Sequence, residues 1–199
     1  MKRLAILASG RGSNFEAIAR HIREGKLAAE IAAVIANVEG AKVLETARAL
    51  GLNAIELLSK GIDTDRYAEL VCEVLAPLQI DLVCLAGFMR RVGKPLLDAY
   101  PMRMLNIHPA LLPSFPGLHV QQQALDYGVR WSGCTVHFVD AGMDTGPIVT
   151  QAAVPVLDDD TADALAARIL VEEHKIYSEA IGIVLSGRYR IEGRRVVRG

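Results

Sequence analysis

The sequence predicts an α/β fold: an open, mostly parallel twisted sheet with helices on both faces. Short apolar runs alternate with segments of helical spacing through the first half of the chain, and glycine or proline closes most of them. The second half replaces that rhythm with a proline-rich loop, a strand pair and one long helix. Residues 4–8 read as a buried strand ending at a glycine-rich turn. Residues 14–24 follow as a helix, with Phe15, Ala17, Ile18 and Ile22 near helical spacing and Gly25 as the stop. A second strand at 31–36 and a second helix at 42–50, ended by Gly51, repeat the unit, and 53–58 supplies a third strand. Asp63 caps a third helix over 64–75, which Pro77 ends. The fourth apolar run, 82–86, stops at Gly87. Residues 105–108 form a brief strand halted by Pro109, and Pro113, Pro116 and Gly117 mark an ordered loop. Strands at 134–140 and 147–156 flank a turn at 141–146. Residues 161–185 are a long helix with Leu165, Ile169, Ile176, Ile181 and Val184 at its apolar positions. Trp131 is expected in a surface loop and the basic tail 188–198 as an exposed segment. No repeat or linker intervenes, so a single domain over 1–199 is expected, with halves at 1–100 and 101–199.

With 199 residues, 51% hydrophobic and 23% charged, the chain is long enough to bury a core without a disulfide or metal staple. The balance of 22 basic against 23 acidic residues gives no bulk electrostatic reason to bind nucleic acid or an anionic membrane. Cys72, Cys84 and Cys134 are widely spaced and form no C-x-x-C pair, which argues against a disulfide framework and a zinc ribbon. The apolar stretch at 4–8 is too short for a secretory signal, and 82–89 is far short of a membrane span. A cytoplasmic protein is expected.

Between the first strand and helix lies Ser9-Gly10-Arg11-Gly12-Ser13-Asn14. Backbone N–H groups at such a turn, with the helix dipole behind them, make an anion site. Phe15 stands where a dinucleotide fingerprint has its third glycine, and no Gly-Lys-Ser/Thr follows, so a single phosphomonoester suits Gly12, Ser13 and Asn14 better than NAD or ATP. The plainer alternative is a tight βα turn in which Ser or Asn caps the helix. In Asn106-Ile107-His108-Pro109 the amide and imidazole are two apart on a strand and point to one face. Such a pair can stabilise an oxyanion and move protons, although a lone buried histidine is more often a structural one. Asp144, in the turn 141–146, bears on this chemistry only if the fold brings its carboxylate to His108. Arg90-Arg91 is either a solvated loop face or a clamp for a carboxylate-bearing ligand. The spacing of His108, His119, His137 and His174 matches no zinc pattern, and no G-x-S-x-G elbow is present, so no metal and no serine nucleophile is expected.

Five stretches, running in order from Ile6 to Tyr177, carry a resemblance: ILASGRGSNFEAI, CLAGFMR, NIHPALLPSFPGLHVQQQAL, GCTVHFVDAGMDTGPIVTQ and EEHKIY. The combination Asn-x-His-Pro, Leu-Leu-Pro-x-x-x-Gly and Asp-x-Gly-Pro is very specific. Together they resemble the glycinamide ribonucleotide formyltransferase family, folate-dependent enzymes of purine synthesis. The resemblance implies a Rossmann-like formyltransferase fold in which Asn106, His108 and Asp144 are the catalytic trio. It implies that Gly12, Ser13 and Asn14 hold the substrate phosphate and that Glu173 contacts the ribose. It places the pterin of the cosubstrate 10-formyltetrahydrofolate against two loops, Met89, Arg90, Arg91 and Val92 in one and Asp140, Ala141, Gly142 and Met143 in the other. The family often has an arginine near the folate's glutamate tail just before the Tyr67 region; position 64 is Thr64, and Arg66 is the nearest candidate. The partners implied are these two small molecules, with no nucleic acid, no membrane and a monomer or homodimer. Related enzymes fit less well. Formyltetrahydrofolate deformylase typically carries a second histidine where Pro109 stands and a preceding regulatory domain, whereas this chain starts at its first strand. Methionyl-tRNA formyltransferase has an arginine-rich loop where Ser114-Phe115-Pro116-Gly117 lies, and a basic RNA-binding extension. A nucleotide-binding protein without turnover would have little use for an intact Asn106, His108 and Asp144.

Overall fold

The first apolar run is strand β1 (Lys2–Ala8) of the computed structural model, which describes residues 1–199. Leu4, Ala5, Ile6, Leu7 and Ala8 are each fully buried, which is why the run is continuous rather than alternating. Contacts divide the chain into two units, Met1–Leu105 and Asn106–Gly199.

In the first unit β1 pairs in parallel with β2 (Ala29–Ala36) on one side and β4 (Leu82–Leu85) on the other, and β3 (Ala54–Glu56) adds to β2. The order is therefore β3-β2-β1-β4. Helices α1 (Ser13–Arg23), α2 (Lys42–Ala49) and α3 (Thr64–Leu75) make the crossovers. The chain steps outward from β1 to β3 and then returns to β4. Right-handed crossovers thus put α1 and α2 on one face and α3 on the other. The reversal leaves a crevice at the carboxyl ends of β1 and β4, the place where open α/β sheets bind ligands. Asp63 caps α3 as expected, its carboxylate accepting from Arg66 N–H and Asp65 N–H, and those bonds hold its carboxyl below the usual value. A short helix, α4 (Lys94–Ala99), follows β4 and is absent from the sequence expectation.

Strand β5 (Met104–His108) carries the chain into the second unit, which contains α5 (Val120–Tyr127), β6 (Trp131–Phe138), β7 (Ile148–Pro155) and α6 (Ala162–Ser186). Strands β6 and β7 are an antiparallel pair, as their flanking of a turn implied. One expectation needs correction. Trp131 opens β6 rather than lying in a loop, although it is 61% exposed. The basic tail is exposed at each of its arginines, as expected, and is built as an antiparallel hairpin, β8 (Tyr189–Glu192) and β9 (Arg195–Arg198), with β9 pairing in parallel with β7 at Ile148 and Arg195. The hairpin covers an otherwise open edge of β7, and Tyr189 stacks near Phe138 at 5.8 Å between ring centroids.

Candidate active site

Asn106 and His108 stand two apart on β5, so both side chains leave the strand on one face. His108 is 4% exposed. Its Nε2 lies 2.8 Å from the Phe115 carbonyl, which can only accept, so that nitrogen carries a proton. Its Nδ1 lies 3.5 Å from Asp144 Oδ2. Both ring nitrogens therefore face oxygen acceptors.

Asp144 reaches this position through backbone geometry. The β6–β7 pairing shifts register between Val136 and His137, and Phe138 N–H donates to Pro147 O across the base of the turn. Asp140 Oδ1 then accepts from Gly142 N–H and the Thr145 hydroxyl, pinning the turn from inside. Asp144 itself is left-handed, with φ 54°. A side chain on Gly146 would run into the Phe138 carbonyl, so the turn needs glycine there. Gly117 N–H donates to Asp144 Oδ2 at 3.0 Å, from the loop that follows the cis Leu112–Pro113 peptide. Burial pushes the Asp144 carboxyl up. The His137 imidazole, the Gly117 N–H and the charge of His108 together outweigh it and hold the group below its ordinary value.

His137 is the residue that sequence reasoning left without a role. It is 2% exposed, with Nε2 3.2 Å from Asn106 Nδ2 and 3.6 Å from Asp144 Oδ1. A signal was available: a histidine inside the apolar strand Cys134-Thr-Val-His-Phe138 must find a buried partner. Of the other histidines, His119 sits at the N-cap of α5 and His174 on α6.

In the first unit, Gly12 is the N-cap of α1 with φ 85°, and no side chain caps that helix. The alternative in which Ser or Asn caps the turn is therefore not what forms. A Cβ on Gly12 would lie 2.5 Å from Val43 Cγ2, so α2 holds this loop close. Ser13 is half-buried and Asn14 buried. Ser9 ties the loop to the crevice: its hydroxyl donates to Asn37 Oδ1 at 2.6 Å and its oxygen accepts from Met89 N–H at 2.7 Å. Asn37 in turn donates to Ser59 Oγ at 3.0 Å.

Met89 is 70% exposed, Arg91 exposed and Val92 half-buried. The Arg90 guanidinium donates to the Ser59 and Ile62 carbonyls and lies 5.0 Å over the Tyr67 ring, so its side chain braces the loop from within. Ala141, Gly142 and Met143 are exposed on their turn. Arg66 is exposed on α3 and paired with Glu69 at 2.8 Å and Glu73 at 3.4 Å. Glu173 is buried on α6, and with Glu172 it adds to the effect of burial that pushes the Cys134 thiol up to about 12.

A sequence model of the formyl transferase family matches residues 2–181. The chain belongs to the formyl transferase family. It is 41% identical over 182 residues to the phosphoribosylglycinamide formyltransferase of Bacillus subtilis, covering 91% of this chain and 93% of that one. It is 42% identical over 189 residues to the trifunctional purine biosynthetic protein adenosine-3 of Drosophila melanogaster; there it covers 94% of this chain but only 14% of the relative's length. Among solved structures, glycinamide ribonucleotide transformylase 1 of Symbiobacterium toebii superposes with a TM-score of 0.97 at 50% identity, covering 100% of this chain and 94% of that one. The formyl transferase fold is thus the fold of this chain, with the mostly parallel sheet that the apolar runs predicted.

Proposed function

We propose that the chain transfers the formyl group of 10-formyltetrahydrofolate to the amine of glycinamide ribonucleotide, forming N-formylglycinamide ribonucleotide and tetrahydrofolate in cytoplasmic purine synthesis. The observation that carries this reading is His108 set between the Phe115 carbonyl and the Asp144 carboxylate, with Asn106 on the same strand face. The amine nitrogen attacks the formyl carbon, and negative charge collects on the formyl oxygen. Asn106 N–H donates to that oxyanion, and the positive charge of protonated His108 stabilises it. Asp144 orients the imidazole and stabilises its charge. The amine proton leaves to the Asp144–His108 pair, directly or through one water. One C–N bond forms, the bond from carbon to N10 breaks, and the proton lost by the amine is matched by one gained at N10.

The loop at Gly12, Ser13 and Asn14 holds the phosphate, and Glu173 the ribose. Backbone and apolar groups at 89–92 and 140–143 hold the pterin, while Arg66 is the candidate for the glutamate tail. The uncapped start of α1 supports the phosphate assignment, and the exposed Met89 and Met143 side chains support apolar contact with the pterin. The test is release of tetrahydrofolate by the purified protein. Release that depends strictly on glycinamide ribonucleotide is expected. Equal release without it would make water the acceptor and replace the transferase reading by hydrolysis.

A further inference from the structure

To act as an oxyanion donor, the Asn106 amide must be kept the right way round. An asparagine amide has two ends of nearly equal size, one a pair of donors and the other an acceptor, and rotation by half a turn exchanges them. Only the donor end helps an oxyanion. The neighbour that distinguishes the two ends is His137. Its Nδ1 lies 2.8 Å from the Phe138 carbonyl, which only accepts, so Nδ1 carries the ring proton. In the neutral ring Nε2 is then a bare lone pair, and only the charged ring carries there the N–H that lowers the Asp144 carboxyl. Nε2 lies 3.2 Å from Asn106 Nδ2, within hydrogen-bonding reach, while Asp144 Oδ1 at 3.6 Å is outside it. The reversed amide would set two lone pairs against each other in a place that water does not reach, His137 being 2% exposed.

We propose that His137 is a positioning residue: as the Nδ1–H tautomer it accepts from one N–H of Asn106 and so leaves the second N–H of the same nitrogen for the developing oxyanion. The Phe138 carbonyl sets the tautomer, and the tautomer sets the amide. The register shift between Val136 and His137 sits at the point where the ring must be aimed at β5. The kinetic consequence rests on the formyl-transfer reading; the orientation of the amide does not.

Two measurements separate the two. In the free protein, 15N NMR of ring-labelled histidine should show His137 with a protonated Nδ1 and an unprotonated Nε2, and the Asn106 side-chain resonances should move on His137→Leu. A protonated Nε2 at neutral pH overturns the proposal whatever the enzyme's activity. In turnover, His137→Leu should lower kcat by about 10²-fold, the scale of one oxyanion donor, with little change in KM. His137→Gln, which can return an acceptor oxygen, should recover most of that loss. In the Asn106→Ala background His137→Leu should cost less than about threefold, because the amide it orients is gone. Losses that multiply in the double variant, or a His137→Leu enzyme as fast as the parent, overturn it. Should His137→Leu fail to fold, the tautomer measurement decides alone. A parent protein without transferase activity would sink the functional reading and still leave that measurement decisive for the amide.

Discussion

Asp144→Asn isolates the charge from the shape of the catalytic turn. The amide retains an oxygen to accept from Gly117 N–H, which now donates at 3.0 Å, so the loop keeps its anchor. What disappears is a negative charge 3.5 Å from His108 Nδ1. Coulomb's law at that separation gives about 5 kcal/mol at an effective dielectric of 20 and about 1 kcal/mol in bulk water. The Asp144 side chain is 13% exposed, which places the site between these limits. The corresponding loss in kcat runs from about tenfold to a few thousandfold, with about 10²–10³ expected. It should fall on kcat rather than on KM for glycinamide ribonucleotide, since the imidazolium is stabilised most where the oxyanion forms. Steady-state release of tetrahydrofolate, with a urea titration to show that the variant is folded, measures both. A folded Asp144→Asn enzyme within threefold of the parent kcat would refute the role given to the carboxylate.

His108→Ala should cost about 10²–10⁴ in kcat and Asn106→Ala about 10²–10³, the scales for a positioned acid–base group and for one oxyanion donor; a folded His108→Ala enzyme at full activity would remove the assignment. Gly12→Ala meets Val43 Cγ2 at 2.5 Å and needs φ near 85°, so it should raise KM for glycinamide ribonucleotide at least tenfold while leaving KM for the folate within about twofold. Equal effects on both would detach this loop from the phosphate. Asp160, bonded by Arg168 and by Leu157 N–H, has its carboxyl held down at about 2. A lowered carboxyl stabilises the fold above its unfolded value of about 3.9 and loses that contribution as pH falls toward about 2. Asp160→Asn should therefore lower Tm at neutral pH and match the parent near pH 2; a constant Tm difference across that range would contradict the pairing.

The β–α alternation of the first unit was readable because strands buried on both faces leave continuous apolar runs, as β1 does. Left-handed glycines stop the helices, as Gly25 and Gly51 do at φ 72° and 70°. Helix α4 has only six residues, and α5, with its run of three glutamines, shows no strong apolar face, so neither stood out. The tail hairpin pairs chiefly with itself, from Tyr189 and Arg198 to Glu192 and Arg195, and none of its residues is buried, so it leaves no apolar run to read. At the site, the shared face of Asn106 and His108 follows from strand parity alone, a property of two neighbouring residues on one backbone.

Everything that joins distant segments had to await the tertiary structure. Asp144 meets His108 only through a register shift, a left-handed residue and an N–H supplied by Gly117. Likewise His137 looked like one more strand histidine until β6 set it against Asn106. By itself the sequence determined which residues could do chemistry and which short spans they occupy, because periodicity and turn preferences act over a few residues. The tertiary structure alone decided which of them meet, because that depends on partners brought from tens of residues away.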